Sequence, residues 1–179
     1  MRIPCWLIIP VFFACSCSGH SFVYPKQLPT CSKETPQAEV SILPFDGQFP
    51  MDPTARILFI HYDSSALCSA CLLKQYYLWD DLIDRLGEDR IDYCFILEPG
   101  QEIPDAVVTS TLEDACFSRP VYLDREGLFQ EELGIKSRSG SVDVLIESSG
   151  KVLLVGDLRH DALFYEKIER RVKKYHCLD

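Results

Sequence analysis

Two cysteines one helical turn apart, in Cys68-Ser69-Ala70-Cys71, are the residues of this chain best spaced to do chemistry together. A thiol in the first turn of a helix meets unpaired backbone N–H groups and the positive end of the helix dipole, and both stabilise the thiolate. In a redox pair Cys68 is therefore the nucleophile. Cys71, on the same helix face, is placed to resolve a mixed disulfide. The same spacing also suits a structural disulfide that never turns over, a metal chelate, or two buried thiols acting as small apolar groups. A zinc ribbon would need a second Cys-x-x-Cys or a histidine pair, which the chain lacks.

The elements that present the motif separate these readings. Ile57-Leu58-Phe59-Ile60-His61-Tyr62 is an apolar run with the length of a buried central strand. After the polar turn Asp63-Ser64-Ser65, apolar residues at 72, 76, 79, 83 and 86, with a second row at 71, 78 and 82, predict a long helix with a wide buried face, closed by Gly87. The cysteines thus follow a strand and open a helix, as redox chemistry requires. Further along, strands are predicted over 91–97 and 121–123, and helices over 104–117 and 128–133, the latter ended by Gly134. A hairpin follows, with strands 142–146 and 152–156 around Glu147-Ser148-Ser149-Gly150-Lys151. A last helix over 161–175 carries an apolar stripe at Phe164, Ile168, Val172 and Tyr175. Alternating strands and helices predict an α/β domain over 56–179.

Before that domain the texture differs. Met1 and Arg2 precede an apolar run of about twelve residues, too short to span a bilayer as a helix and suited to an export signal. Residues 18–55 are rich in Pro, Ser, Thr and Gln without sustained periodicity and read as a tether, in which Val40-Ser41-Ile42-Leu43 could pair as an edge strand. Cys31 lies inside this stretch and takes no assigned role.

Two resemblances follow from these blocks. Ala14-Cys15 and Ser16-Cys17, directly after the apolar run, resemble a lipobox, which makes 1–17 a lipoprotein signal and Cys15 or Cys17 the lipid attachment site. Residues 56–176 resemble the thioredoxin-like superfamily, and within it the TlpA-type membrane-tethered thiol–disulfide oxidoreductases of bacterial lipoproteins. The likeness rests on the first strand, the Cys-Ser-Ala-Cys helix start, Pro120-Val121-Tyr122-Leu123-Asp124, Leu128-Phe129, Leu133-Gly134-Ile135, and the hairpin with its closing helix. It implies a thioredoxin-like fold, a central mixed sheet flanked by helices with the Cys-x-x-Cys at the start of the first long helix. It also implies a catalytic Cys68–Cys71 pair and no cofactor. The implied partners are exported proteins with thiols or disulfides and an electron donor. The implied place is the periplasmic side of a bacterial envelope, with the chain held to the membrane by lipid.

The chain departs from the family's pattern at Leu67, where an aromatic residue is usual, at Ser69-Ala70, where Gly-Pro is usual, and at Ser141, where a cis-proline is expected. A cis bond before a non-proline residue costs about 2.5–4 kcal/mol, so a trans or differently built loop is expected around Ser141.

Among the remaining candidates, Asp63 could accept a proton from Cys71 or serve as a turn or cap residue. His61 or His160 could join the two thiolates in a copper-type site, although a histidine on a central strand is more often a satisfied core residue. Cys94 and Cys116 read as inert buried thiols, and Cys177 as exposed. With 18 Lys+Arg against 27 Asp+Glu and a net charge of −9, the chain has no basic surplus with which to displace phosphate counterions, which argues against nucleic acid as a partner. Three function classes stay open: a disulfide-exchange enzyme, a redox-silent binding module, and a copper-handling protein.

Overall fold

In the computed structural model, residues 40–52, 55–64, 77–88, 91–114, 117, 119–135 and 140–176 are described. Their elements run β1 (Ile42–Pro44), β2 (Ile57–Asp63), α1 (Tyr77–Leu86), β3 (Ile91–Leu97), α2 (Asp105–Asp114), β4 (Val121–Leu123), α3 (Leu128–Leu133), β5 (Ser141–Glu147), β6 (Val152–Gly156) and α4 (Ala162–His176). The six strands form one mixed sheet in the order β1-β4-β3-β2-β5-β6. β1, β4, β3 and β2 are mutually parallel, whereas β5 and β6 are antiparallel to their neighbours. No helix among the described residues is long and apolar enough to cross a membrane.

β2 is central because it can be: all seven of its residues are buried, and only a strand covered on both faces tolerates so continuous an apolar run. Its residues alternate between two cores. Ile57 and Phe59 pack with Leu82 of α1 and with Phe164, Ile168 and Val172 of α4. Leu58, Ile60 and Tyr62 pack on the other face with Phe129 of α3, Val142 and Val144 of β5, and Phe45. The stripe expected on the last helix is the one buried. At the end of β6, Gly156 lies against that stripe so closely that a Cβ there would sit 2.4 Å from the Phe164 ring.

The sheet begins earlier than residue 56. β1 pairs in register with β4, Ile42 beside Val121, and Phe45 is buried while Phe49 and Met51 pack against the same core. The stretch read as tether therefore contributes a strand and a short apolar cover, and the edge-strand reading of 40–43 is the one observed. Phe49 meets Phe129 edge-on at 6.1 Å, which fixes that cover over α3.

The turn after β4 contains a fully buried carboxylate. Asp124 accepts the Leu128 and Phe129 amide N–H groups at 2.9 Å each, capping the short helix α3 from outside it. Asp124→Ala would orphan the buried Phe129 amide and the half-buried Leu128 amide at once and is expected to destabilise the domain by about 2–3 kcal/mol, with Asp124→Asn losing roughly half of that, as read from urea denaturation midpoints.

Candidate functional site

Cys68 and Cys71 lie outside the described residues, as do Cys15, Cys17, Cys31, Cys116 and Cys177. The segment 65–76 that carries the pair joins the C-terminal end of β2 to α1, so the described surroundings of that strand end are what frame the motif. Asp63, Ser64, Gly140 and Ser141 all lie there. Ser64 donates both its amide, at 2.7 Å, and its hydroxyl, at 3.0 Å, to the carbonyl of Gly140. This carbonyl is presented by a left-handed backbone, with Gly140 at φ 84°, a conformation that residues with a Cβ rarely adopt.

Ser141 does not precede the hairpin strand but begins it, paired directly with Asp63. The described residues contain no cis peptide bond, in line with the trans loop expected where the family has cis-proline. In place of a proline ring, the loop is fixed by polar contacts. The Ser141 hydroxyl donates to Asp157 Oδ2 at 2.7 Å. Asp157 Oδ1 accepts the Arg159 amide at 2.9 Å and faces Nε of the same residue at 3.5 Å. Arg159 then reaches across the strand ends to Asp63 Oδ2 at 3.3 Å. Its side chain is only 7% exposed, so one guanidinium is shared between two carboxylates in a nearly dry setting.

One step down the same face, β2 and β5 place His61 opposite Asp143. His61 Nδ1 lies 2.8 Å from Asp143 Oδ1, and Asp143 Oδ2 accepts the Leu158 amide at 2.6 Å. The imidazole also packs against the Trp79 ring, 4.4 Å between centroids. His61 is thus a satisfied core histidine, held by a buried carboxylate and covered by α1. His160 is on the surface, with Nδ1 2.9 Å from Asp157 Oδ2. The copper-type set of Cys68 and Cys71 with His61 or His160 falls in part outside the described residues, and among the described residues no group of three metal-ligating side chains occurs.

Burial pushes the Asp157 carboxyl up, but hydrogen bonds from His160, Ser141 and the Arg159 amide, together with the Arg159 charge, outweigh it and hold the group down at about 2. The sign follows from linkage: a carboxylate depressed by folding adds stability above its unfolded value and loses it as the pH falls toward the folded one. Between about pH 4 and pH 2 this group is expected to withdraw roughly 2 kcal/mol of stability. Denaturation midpoints across that range should show the loss in the native sequence and a flatter profile in Asp157→Asn.

The opposite face of the same strand end is also polar. Tyr62 stacks on Phe129 at 4.2 Å, and Gln130 donates to the Tyr62 hydroxyl at 2.9 Å and to Glu98 at 3.3 Å. Burial raises the Glu98 carboxyl above its usual range, with the Gln130 hydrogen bond opposing the shift. Cys94, mid-strand on β3, is free, completely buried, and its thiol is pushed up by burial and by Asp92, so it is an inert core group.

Sequence reasoning picked out Asp63, Ser141, His61 and His160 singly and missed what joins them. Asp143, Asp157 and Arg159 carry the network. A signal existed: Asp143 interrupts an otherwise apolar strand, and Asp157-Leu158-Arg159-His160 follows directly on β6.

The mixed sheet in this strand order, with helices on both faces, has the thioredoxin-like fold. Among solved structures, the chain is similar to the exposed lipoprotein thioredoxin of Streptococcus pneumoniae, with a TM-score of 0.50 and 18% identity over 68% of this chain and 86% of that one. It is equally similar to the C-terminal domain of a Bacteroides thetaiotaomicron protein assigned as a thiol–disulfide oxidoreductase, with a TM-score of 0.50 and 13% identity over 68% and 80% of the two chains. A thioredoxin-like protein solved in its oxidised form gives a TM-score of 0.51 at 11% identity, over 67% and 80%. At such identities the likeness is one of fold. No protein-family model and no curated protein matches the sequence.

Proposed function

We propose that this chain is an extracytoplasmic, lipid-anchored thiol–disulfide exchange protein that acts on exported proteins through Cys68 and Cys71. The observation that carries the reading is the position of the Cys-Ser-Ala-Cys segment in a thioredoxin-like sheet, between the end of β2 and α1. The solved proteins that share the fold include one named as a lipoprotein thioredoxin and one assigned as an oxidoreductase, which supports both the chemistry and the place. Anchoring rests on Cys15 or Cys17 as the lipidated residue and places the domain on the periplasmic side of a bacterial envelope.

In the exchange, the Cys68 thiolate attacks one sulfur of a substrate disulfide. That S–S bond breaks, a Cys68–substrate disulfide forms, and the first substrate thiolate leaves and takes up a proton. Cys71, once deprotonated, attacks the Cys68 sulfur and releases the second substrate thiol. The substrate has gained two electrons and two protons, and the Cys68–Cys71 pair is left as a disulfide. A dithiol donor in the envelope returns it to the reduced form. Asp63 is the described carboxylate nearest in sequence to the motif and is proposed as the acceptor for the Cys71 proton, relayed at the strand end where Arg159 holds it.

The test is a pair of variants in the full chain. Cys71→Ala should accumulate a mixed disulfide with envelope proteins that reductant dissolves, and Cys68→Ala should form none and reduce insulin no faster than buffer. If both variants behave like the native sequence, the two cysteines carry no exchange.

A further inference from the structure

A cavity of about 630 Å³ opens at the pole of the sheet away from Asp63 and Ser141, and nothing in the proposed exchange uses it. It lies at the N-terminal ends of three parallel strands: Ala55 precedes β2, Ile91 begins β3 and Pro120 precedes β4. Ligands of open α/β sheets gather at the carboxyl ends of the strands, so a cavity at this pole is not a by-product of the fold's usual site. Its volume falls in the range of small-molecule pockets.

The walls combine aromatic rings and carboxylates. Tyr93 and Tyr122, both half-buried, supply aromatic surface, and Met51 with Pro50 closes the side formed by the cover before β2. The Tyr93 ring is fixed by its hydroxyl, which donates to the Gly87 carbonyl at 2.9 Å. Asp92 is fixed as firmly: Oδ2 accepts the Asp52 amide at 2.8 Å and Oδ1 the Tyr93 amide at 2.9 Å. Each of those oxygens keeps a lone pair for a further donor, and no cation pairs with Asp92 among the described residues. Among the described residues, the lining sets Asp52, Glu88 and Asp92 beside Arg119.

Arg119 shows what this lining accepts. Its guanidinium lies 5.9 Å from the centre of the Tyr93 ring and pairs with Glu88 at 2.5 Å, a cation held by one aromatic face and one carboxylate. On the sheet face opposite the one Tyr93 packs on, Tyr122 and Asp92 supply the same two components. We infer that this side of the cavity takes a second cation, an ammonium or guanidinium group on an apolar stem. The stem would lie along Met51, Pro50 and the Tyr122 ring, and the head would reach Asp92. Such a group is borne by a small organic amine and by a lysine or arginine side chain of a partner polypeptide.

Backbone-amide NMR of the full chain, titrated with agmatine and separately with a capped tripeptide centred on arginine, tests this. Saturable shifts confined to residues around Tyr93, Tyr122 and Asp92 are expected, weakening as salt is raised. Asp92→Asn removes the charge, keeps an acceptor for one of the two amides, and should weaken binding by about tenfold or more. Tyr122→Leu should weaken it independently, and unchanged thermal unfolding of either variant shows that the fold is intact. Binding of both probes assigns the site to the cationic group alone, and binding of the peptide only assigns it to a polypeptide partner. Absence of saturable shifts, equal binding of the matching glutamine peptide, or indifference to both substitutions overturns the inference. None of these outcomes depends on Cys68 or Cys71, so the proposed exchange stands or falls separately.

Discussion

Replacing Arg159 by methionine is expected to destabilise the domain by about 3–5 kcal/mol. Methionine keeps the apolar stem and removes the charge, which leaves Asp63 and Asp157 without their shared cation in a setting where all three side chains are 14% exposed or less. Breaking one partner of a buried set costs more than the set contributes, because the remaining charges stay buried. The triple replacement Asp63→Asn, Asp157→Asn and Arg159→Met should therefore recover part of the loss. Urea denaturation of the three single variants and the triple decides the matter. An Arg159→Met variant as stable as the native chain would mean that the strand end is solvated and the network carries nothing.

Asp143→Ala is the second large effect expected, at about 2–4 kcal/mol. The carboxylate is 1% exposed and serves two donors on different elements, His61 on β2 and the Leu158 amide after β6. Its loss strands both and frees the turn that carries Asp157 and Arg159. Because Leu158 is adjacent to Arg159, the two substitutions should not add: a double-mutant cycle is expected to show a coupling of about 1 kcal/mol or more, where independent sites would add within a few tenths. Additivity would separate the His61–Asp143 pair from the Arg159 network.

Apolar periodicity located β2, β3, α3 and α4 to within a residue or two, because a two-sided core imposes continuous runs on central strands and a stripe on the covering helices. It placed Trp79, Leu82 and Ile83 on the inner face of α1, where they are buried. β1 was visible only as a short apolar piece among prolines, since three residues pairing along one edge leave almost no pattern. Ser141 was legible as the departure from cis-proline, yet its partner Asp157 is 16 residues away, across a hairpin whose register sequence does not show. Asp124, which in the sequence only ends the Pro120–Asp124 block, is a buried cap, because capping from outside a short helix depends on the path of the turn and not on spacing alone.

Whether Cys68 and Cys71 form a dithiol that cycles is read from the redox state of the pair in the full chain across a series of glutathione and dithiothreitol buffers, followed by thiol alkylation and mass. A reversible two-electron transition is expected between about −120 and −270 mV, the span of exchange proteins. A pair that stays oxidised in buffers below about −300 mV, as structural disulfides do, or one that never forms a disulfide under oxidising buffers, would contradict it.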